Sequence, residues 1–105
     1  MKRSIRILTC TTFVLAGATS AWAEDAKDLY LSKCATCHGA NGAGKTAMGR
    51  KLKAQDVHVT VGKMTADQMI TIVTDGKGQD MAGYGKQFTK DQIKELVEYY
   101  RGLAK

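Results

Sequence analysis

Two cysteines separated by two residues and followed directly by a histidine constrain this chain more than any other feature. They are Cys34, Cys37 and His38, in the run Cys-Ala-Thr-Cys-His. Residues three apart lie on one face of a helix, so both thiols can reach the same edge of a flat ligand. A disulfide between cysteines this close would close too small a loop to stabilise a fold. The pair therefore indicates an attached group rather than a crosslink.

This spacing is a signature of covalent c-type haem attachment. Cys34 and Cys37 would form thioethers with the two vinyl groups of the haem, and His38 would offer a neutral imidazole nitrogen to the iron. Two alternatives fit less well. A thioredoxin-like dithiol would follow a strand, whereas the residues before Cys34 favour a helix. A zinc site would need His58 as its fourth ligand without paired spacing, and His58 is more simply a surface or hydrogen-bonding residue.

The first 23 residues have the pattern of an export signal. A basic start is followed by an apolar run over 7–18 and by small residues at 21 and 23, on either side of Trp22. The apolar run is about a dozen residues, whereas a membrane-crossing helix needs ~20. We expect residues 1–23 to be removed, which predicts a periplasmic protein without a stable membrane anchor.

Composition changes when this segment is set aside. Removing 23 residues from 105 leaves 82, and the formal net charge falls from +6 to +3 because three of the 16 basic side chains go with the segment. The remaining basic residues form no contiguous run, so nucleic acid is not an expected partner. A chain of this size buries only a little over ~60% of its unfolded surface, so a prosthetic group is expected to complete the core.

Residues 24–105 are predicted to form one domain of three to four helices joined by glycine-rich loops. The first helix is predicted over 25–37, with its apolar side facing the bound group. Two capping boxes, Thr65 with Gln68 and Thr89 with Gln92, predict two further helix starts. The alternating stretch 57–61 has no partner strand and is interpreted as an extended connection. The last helix carries an apolar stripe of Ile93, Leu96, Val97 and Tyr100.

The chain over 24–105 resembles the class I c-type cytochromes, which are small soluble monohaem proteins. The resemblance rests on Ala26, Tyr30 and the Cys-x-x-Cys-His motif, on a methionine in a late glycine-rich loop, and on a closing amphipathic helix with Leu96 and Tyr99. It implies an all-α cytochrome c fold wrapped around one covalent haem c. It also implies that the first and last helices cross beside the haem, with Ala26 or Tyr30 against Leu96 and Tyr99.

The resemblance implies Met81 as the distal iron ligand, opposite His38. A thioether is neutral and soft and stabilises ferrous iron. Met69 is expected in the core of a helix, whereas Met48 and Met64 remain alternative ligands. The chain has no proline, although many family members use a proline carbonyl to orient the proximal histidine. A backbone carbonyl within 46–48 is the expected substitute.

The resemblance implies a one-electron carrier rather than an enzyme. Its partners would be redox proteins that donate and accept electrons through transient contacts, and the simplest expectation is a monomer. Tyr84 and Phe88 are candidates for packing beside the haem. A haem sensor or peroxidase-like protein with an open distal position is the alternative function. Six lysines are candidates for a basic rim that favours acidic partners, namely Lys33, Lys45, Lys51, Lys53, Lys77 and Lys86.

Overall fold

The computed structural model describes residues 25–105, and these residues form an all-α structure. The predicted leader over 1–23 lies outside the described residues. Within 25–105 the only β-type pairing is an isolated bridge between Lys77 and Met81. The helices of this part of the chain are α1 (Ala26–Lys33), α2 (Ala35–His38), α3 (Ala47–Lys51), α4 (Val57–Lys63), α5 (Ala66–Asp75) and α6 (Lys90–Gly102).

The core lies where α1 crosses α6. Leu29 and Tyr30 of α1 and Leu96 of α6 are buried together. The Tyr30 and Tyr99 rings pack with their centroids 5.2 Å apart. The predicted meeting of the first and last helices is therefore confirmed for Tyr30, Leu96 and Tyr99. Burial of apolar side chains at this crossing holds the Cys-x-x-Cys-His segment, which directly follows α1, against the last helix.

Both predicted capping boxes are present. The Thr65 hydroxyl accepts from the Gln68 backbone N–H at 3.2 Å, and the Gln68 side chain accepts from the Thr65 N–H at 2.9 Å. Thr89 and Gln92 repeat this arrangement at the start of α6. Each pair satisfies amides that a helix start leaves without partners. The predicted stripe of α6 also faces inward, with Ile93, Leu96 and Val97 buried.

The prediction of one continuous helix over 25–37 is wrong. α1 ends at Lys33, and Cys34, with φ −114° and ψ −34°, interrupts the regular helix before α2 begins at Ala35. The Lys33 carbonyl accepts from the Tyr84 hydroxyl at 3.3 Å, a contact from a distant segment. The Cys34 carbonyl then accepts from both the Cys37 and His38 amides. The regular helix is therefore interrupted at the first thiol and resumes one residue later.

The prediction of an extended connection over 57–61 is also wrong, since this stretch is α4. Asp56 caps the helix by accepting from the His58 backbone N–H at 2.9 Å. Val57 is completely buried, whereas Val59 is 45% exposed. α4 packs against α6. Tertiary burial of one valine and a side-chain cap therefore outweigh the β preference of the valines. Residues 25–105 thus contain six helices rather than the expected three to four, and three of the six, α2, α3 and α4, are short.

Candidate functional site

A cavity of about 580 Å³ opens between the helices and a late loop, and the four predicted site residues all line it. Cys34 and Cys37 come from the bend after α1, His38 from the end of α2, and Met81 from the loop between α5 and α6. Most of the other lining residues are apolar. They include Leu52, Ile72, Val73, Leu96 and Val97.

Cys34 and Cys37 are free thiols and are partly buried. Burial, with a smaller contribution from Cys37, raises the pKa of Cys34 to about 11. A catalytic dithiol needs the opposite shift, because the thiolate is the attacking form. The described residues also contain no strand before the motif. The thioredoxin-like alternative is therefore not supported, whereas two accessible thiols on one cavity wall suit thioether formation.

The His38 ring is enclosed on the same wall. Burial lowers its pKa below the usual value, so the imidazole is neutral at pH 7, as an iron ligand must be. Its Nδ1 atom is buried and has no hydrogen-bond partner among residues 25–105. The expected bond to a carbonyl within 46–48 is therefore not formed. The Tyr100 ring meets the imidazole edge-on at 5.3 Å and confines it on that side.

Tyr30 fixes the turn that follows His38. Its hydroxyl is buried and donates to the Gly39 carbonyl at 2.6 Å. Gly39 has φ +79°, which lets the chain turn sharply after the histidine. A bond from α1 across to the end of α2 thus ties the proximal segment to the core, since an unpaired buried hydroxyl would be costly.

α3 is joined to the Cys-x-x-Cys-His segment by hydrogen bonds and close packing. The Thr46 hydroxyl donates to the Thr36 carbonyl at 2.6 Å and accepts from the Gly49 N–H at 2.9 Å. Gly49 is buried so closely that a Cβ atom there would overlap the Cys37 carbonyl oxygen. The absence of a side chain at Gly49 therefore sets the distance between α3 and the segment that carries the second thiol and the histidine.

This contact predicts that Gly49→Ala destabilises the protein by about 1–3 kcal/mol, because overpacking against rigid backbone forces the two segments apart. Gly62→Ala is the matched control. Gly62 lies in α4 with open space around it, so alanine there should stabilise the protein by about 0.5–1 kcal/mol through helix propensity. Urea unfolding of both holoproteins measures the difference. Equal stability of the two variants would contradict the close contact.

Three methionines line the cavity, namely Met64, Met69 and Met81. Met48 does not line it and is 42% exposed, which removes one alternative ligand. Met69 is buried in α5, as expected for a core residue, although its side chain also borders the cavity. Met64 follows the end of α4. Geometry alone therefore leaves Met81 and Met64 as the two candidates outside helix interiors.

The loop that carries Met81 closes tightly on itself. The Lys77 amide donates to the Met81 carbonyl at 2.8 Å, and the Tyr84 amide donates to the Val73 carbonyl at 2.8 Å. Gly76, at φ +82°, allows the closure, since a Cβ there would lie 2.7 Å from the Met81 carbonyl oxygen. The glycines and these bonds hold Met81 over the cavity although the loop lacks proline.

The remaining candidates divide between the cavity and the surface. Tyr84 lines the cavity, whereas Phe88 does not and stacks on the Tyr84 ring at 5.3 Å. His58 is confirmed as a surface residue, with its Nδ1 atom 2.8 Å from an Asp56 carboxylate oxygen. All six candidate lysines are exposed, but among them only Lys33, Lys53 and Lys77 border the cavity.

Two residues that line the cavity, Tyr100 and Thr60, were not predicted as site residues from the sequence. The Tyr100 hydroxyl donates to Thr60 Oγ1 at 3.3 Å, which joins α6 to α4 at the cavity wall. A signal for Tyr100 exists in its place on the stripe of the last helix. No local pattern identifies Thr60, because the interpretation of 57–61 as an extended connection gave no helical face on which to place it.

The donor set fits a haem and not a metal cluster. Residues 25–105 contain no group of three or more His, Cys, Asp or Glu side chains able to hold a metal ion, which removes the zinc alternative. A neutral imidazole, two thiols and a thioether around a mainly apolar cavity match the needs of a covalent haem. No helix among the described residues has the length and hydropathy that crossing a membrane requires.

Solved structures and characterised relatives are similar to this chain. The c-type cytochrome KustC0563 superposes with a TM-score of 0.72 at 30% identity, covering 78% of this chain and 100% of that one. A point mutant of the same cytochrome gives 0.69 at 28% identity, covering 76% and 99%. Cytochrome c6 of a Synechococcus species is 26% identical over 91% of this chain and 83% of that protein.

Two oxidase subunits are similar over a small part of their length. The cbb3-type cytochrome c oxidase subunit FixP of Azorhizobium caulinodans is 28% identical over 78% of this chain, and subunit CcoP of Azospirillum brasilense is 32% identical over 81%. The chain spans 27% of the first subunit and 30% of the second. The likeness to these proteins therefore concerns only a part of each.

The fold and the site define a small monohaem c-type cytochrome with an all-α cytochrome c fold and one covalent haem c. The chain belongs to the family described as cytochrome C oxidase, cbb3-type, subunit III, whose model matches residues 21–99.

Proposed function

We propose that this protein is a one-electron carrier in an exported, periplasmic electron-transfer chain, with haem c held between His38 and Met81. The single observation that carries the proposal is the cavity on which Cys34, Cys37, His38 and Met81 converge from three separate segments. The haem iron supplies the one-electron chemistry by changing between its ferric and ferrous states.

Each of the four residues has a distinct role in this proposal. Cys34 and Cys37 attach the haem and thereby keep it with the chain. His38 holds a neutral imidazole in place, since its ring is confined by burial and by Tyr100. Met81 provides a neutral thioether from a loop that is closed by backbone hydrogen bonds. Held in this way, His38 and Met81 would give the iron the same two ligands in both oxidation states and would leave no position for water, which suits electron transfer rather than catalysis.

The relatives support two ways of carrying electrons. The chain covers nearly all of KustC0563 and most of cytochrome c6, which supports a small free carrier that meets donor and acceptor transiently as a monomer. FixP and CcoP are named as oxidase subunits, which supports a carrier fixed in a larger assembly. We propose the free carrier, because KustC0563 and cytochrome c6 are the proteins that the chain covers over most of their length.

A sensor or peroxidase-like function with an open distal position has less support. Such a site needs a polar or basic group opposite the proximal histidine. His58, the other imidazole of the chain, is exposed and hydrogen-bonded to Asp56, and it does not line the cavity. No observation therefore favours this alternative over a carrier.

The test is the absorption spectrum of the protein exported by a host with haem-attachment machinery. We expect haem that remains bound after denaturation, together with the weak red band of sulfur-ligated ferric haem. Covalent haem without that band would contradict the His38 and Met81 ligand pair. Absence of haem from the purified chain would contradict the whole proposal.

A further inference from the structure

Lys53 has a backbone conformation that favours a different residue. Its φ of 59° makes it the one non-glycine residue within 25–105 with a left-handed backbone. α3 ends just before it, and the Ala54 amide donates to the Gly49 carbonyl at 2.8 Å while the Lys53 amide points back to the Arg50 carbonyl at 3.4 Å. This pair of bonds is a Schellman motif, whose left-handed position is usually glycine.

The backbone conformation favours glycine, so the presence of a lysine here is explained by its side chain. A lysine in the left-handed region is strained relative to glycine, and strained residues of this kind concentrate where a side chain must be held in one place. Lys53 borders the cavity together with its neighbours Ala54 and Gln55. The helix end thus places an exposed lysine on the lining of a mainly apolar cavity.

Three lysines border the cavity, and two of them lie in the segments that carry the thiols and Met81. Lys33 lies beside the thiols, since it directly precedes Cys34 and its carbonyl accepts from Tyr84. Lys77 lies in the turn that carries Met81, where the Asp80 amide donates to the Lys77 carbonyl and Asp80 also lines the cavity. Lys77 is therefore part of the loop that carries Met81.

Lys53 follows the C-terminal end of α3, whereas the thiols precede this helix in the chain. Thr46, at the start of α3, is bonded to the Thr36 carbonyl within the motif, and Lys53 follows the opposite end of the helix. Lys53 also has no carboxylate partner among the described residues, in which the one ion pair joins His58 and Asp56. Its charge is therefore available to a ligand.

We infer that Lys53 is the charge partner of a haem carboxylate. This inference rests on the proposed attachment of haem at Cys34 and Cys37. A haem carries its two carboxylates on the edge opposite the vinyl groups, so thioethers on one side direct the carboxylates to the other. An ionised carboxylate at an apolar cavity requires a cation or hydrogen-bond donor, and the Lys53 ammonium supplies both. Gln55 offers a neutral donor at the same side.

The electrostatic consequence is a higher midpoint potential. A cation beside a haem carboxylate offsets its negative charge, and the reduced iron is then less disfavoured. Loss of the ammonium leaves the carboxylate charge uncompensated, which stabilises ferric iron and lowers the potential. A purely structural role at the end of α3 predicts no such change.

The experiment compares four variants of the holoprotein. Lys53→Gly and Lys53→Asn remove the charge and still accept the left-handed backbone, whereas Lys53→Arg keeps the charge. Lys51→Gln removes the same charge from an exposed residue that does not line the cavity, and it is the matched control. The measurements are the midpoint potential at low and high salt and the urea midpoint of unfolding.

We expect Lys53→Gly and Lys53→Asn to lower the midpoint potential, by a shift several-fold larger than the shift in Lys51→Gln. Lys53→Arg should have a midpoint potential near that of the parent. Lys53→Gly should unfold at the same or a higher urea concentration, because glycine relieves the backbone strain. Potentials of the uncharged variants equal to that of Lys51→Gln would overturn the inference, as would a fall in Lys53→Arg as large as that in Lys53→Gly. Absence of covalent haem from the parent protein would instead overturn the proposed function.

Discussion

The double variant C34A/C37A is expected to release all of its haem on denaturation, whereas the parent protein retains it. Both thiols lie on one wall of the cavity and are free and accessible to form thioethers. Without them, only ligand bonds and apolar contacts retain the haem, and denaturation removes both. Haem absorbance that stays with the chain after unfolding and extraction into acidified organic solvent measures the effect.

Single variants and a neighbouring control make this result specific. C34A and C37A should each retain haem through one thioether and show shifted visible bands, because one vinyl group stays conjugated to the ring. Thr36→Ala changes an exposed side chain between the two thiols and should behave like the parent. Haem that remained attached to the double variant would place the covalent bond elsewhere in the chain.

The variant Met81→Ala is expected to bind carbon monoxide rapidly in its reduced form, which the parent should not do under native conditions. Removal of the thioether opens one axial position and leaves His38 as the protein ligand. The midpoint potential should fall as well, within the ~0.8 V range over which axial ligands set haem potentials, because a thioether favours ferrous iron. The red band of sulfur-ligated ferric haem should disappear with it.

Met64→Ala is the matched control for this variant. Met64 lines the same cavity and loses the same thioether, yet it follows the end of α4 rather than lying in the loop closed by Gly76. We expect Met64→Ala to keep the red band and to exclude carbon monoxide. The opposite pattern, with carbon monoxide binding in Met64→Ala alone, would assign the distal position to Met64.

Several features were predictable because a few neighbouring residues decide them. The capping boxes at Thr65 and Thr89 were predicted to the residue, since each is a reciprocal pair of bonds within four residues. The crossing of α1 and α6 followed from the resemblance to c-type cytochromes and is confirmed by the packing of Tyr30 against Leu96 and Tyr99.

Other features were not predictable from neighbouring residues. The stretch 57–61 has a β-like pattern, and it is a helix because Val57 is buried against Gly42 and because α4 packs on α6. α1 ends at Lys33, where Tyr84 from a segment 51 residues away bonds its carbonyl. His38 Nδ1 has no hydrogen-bond partner among the described residues, so no carbonyl within 46–48 reaches it. Each outcome depends on contacts between distant segments.

By itself, the sequence determined the chemistry that the chain offers and several of its helix starts. Two thiols, an imidazole and the caps at Thr65 and Thr89 are local arrangements, so spacing along the chain is enough to define them. Only the tertiary structure decided which residues share one cavity. Met64, Met69 and Met81 border it while Met48 does not, and Lys53 reaches it through the end of α3. The reason is that a cavity is formed by packing among segments far apart in sequence, which no local pattern encodes.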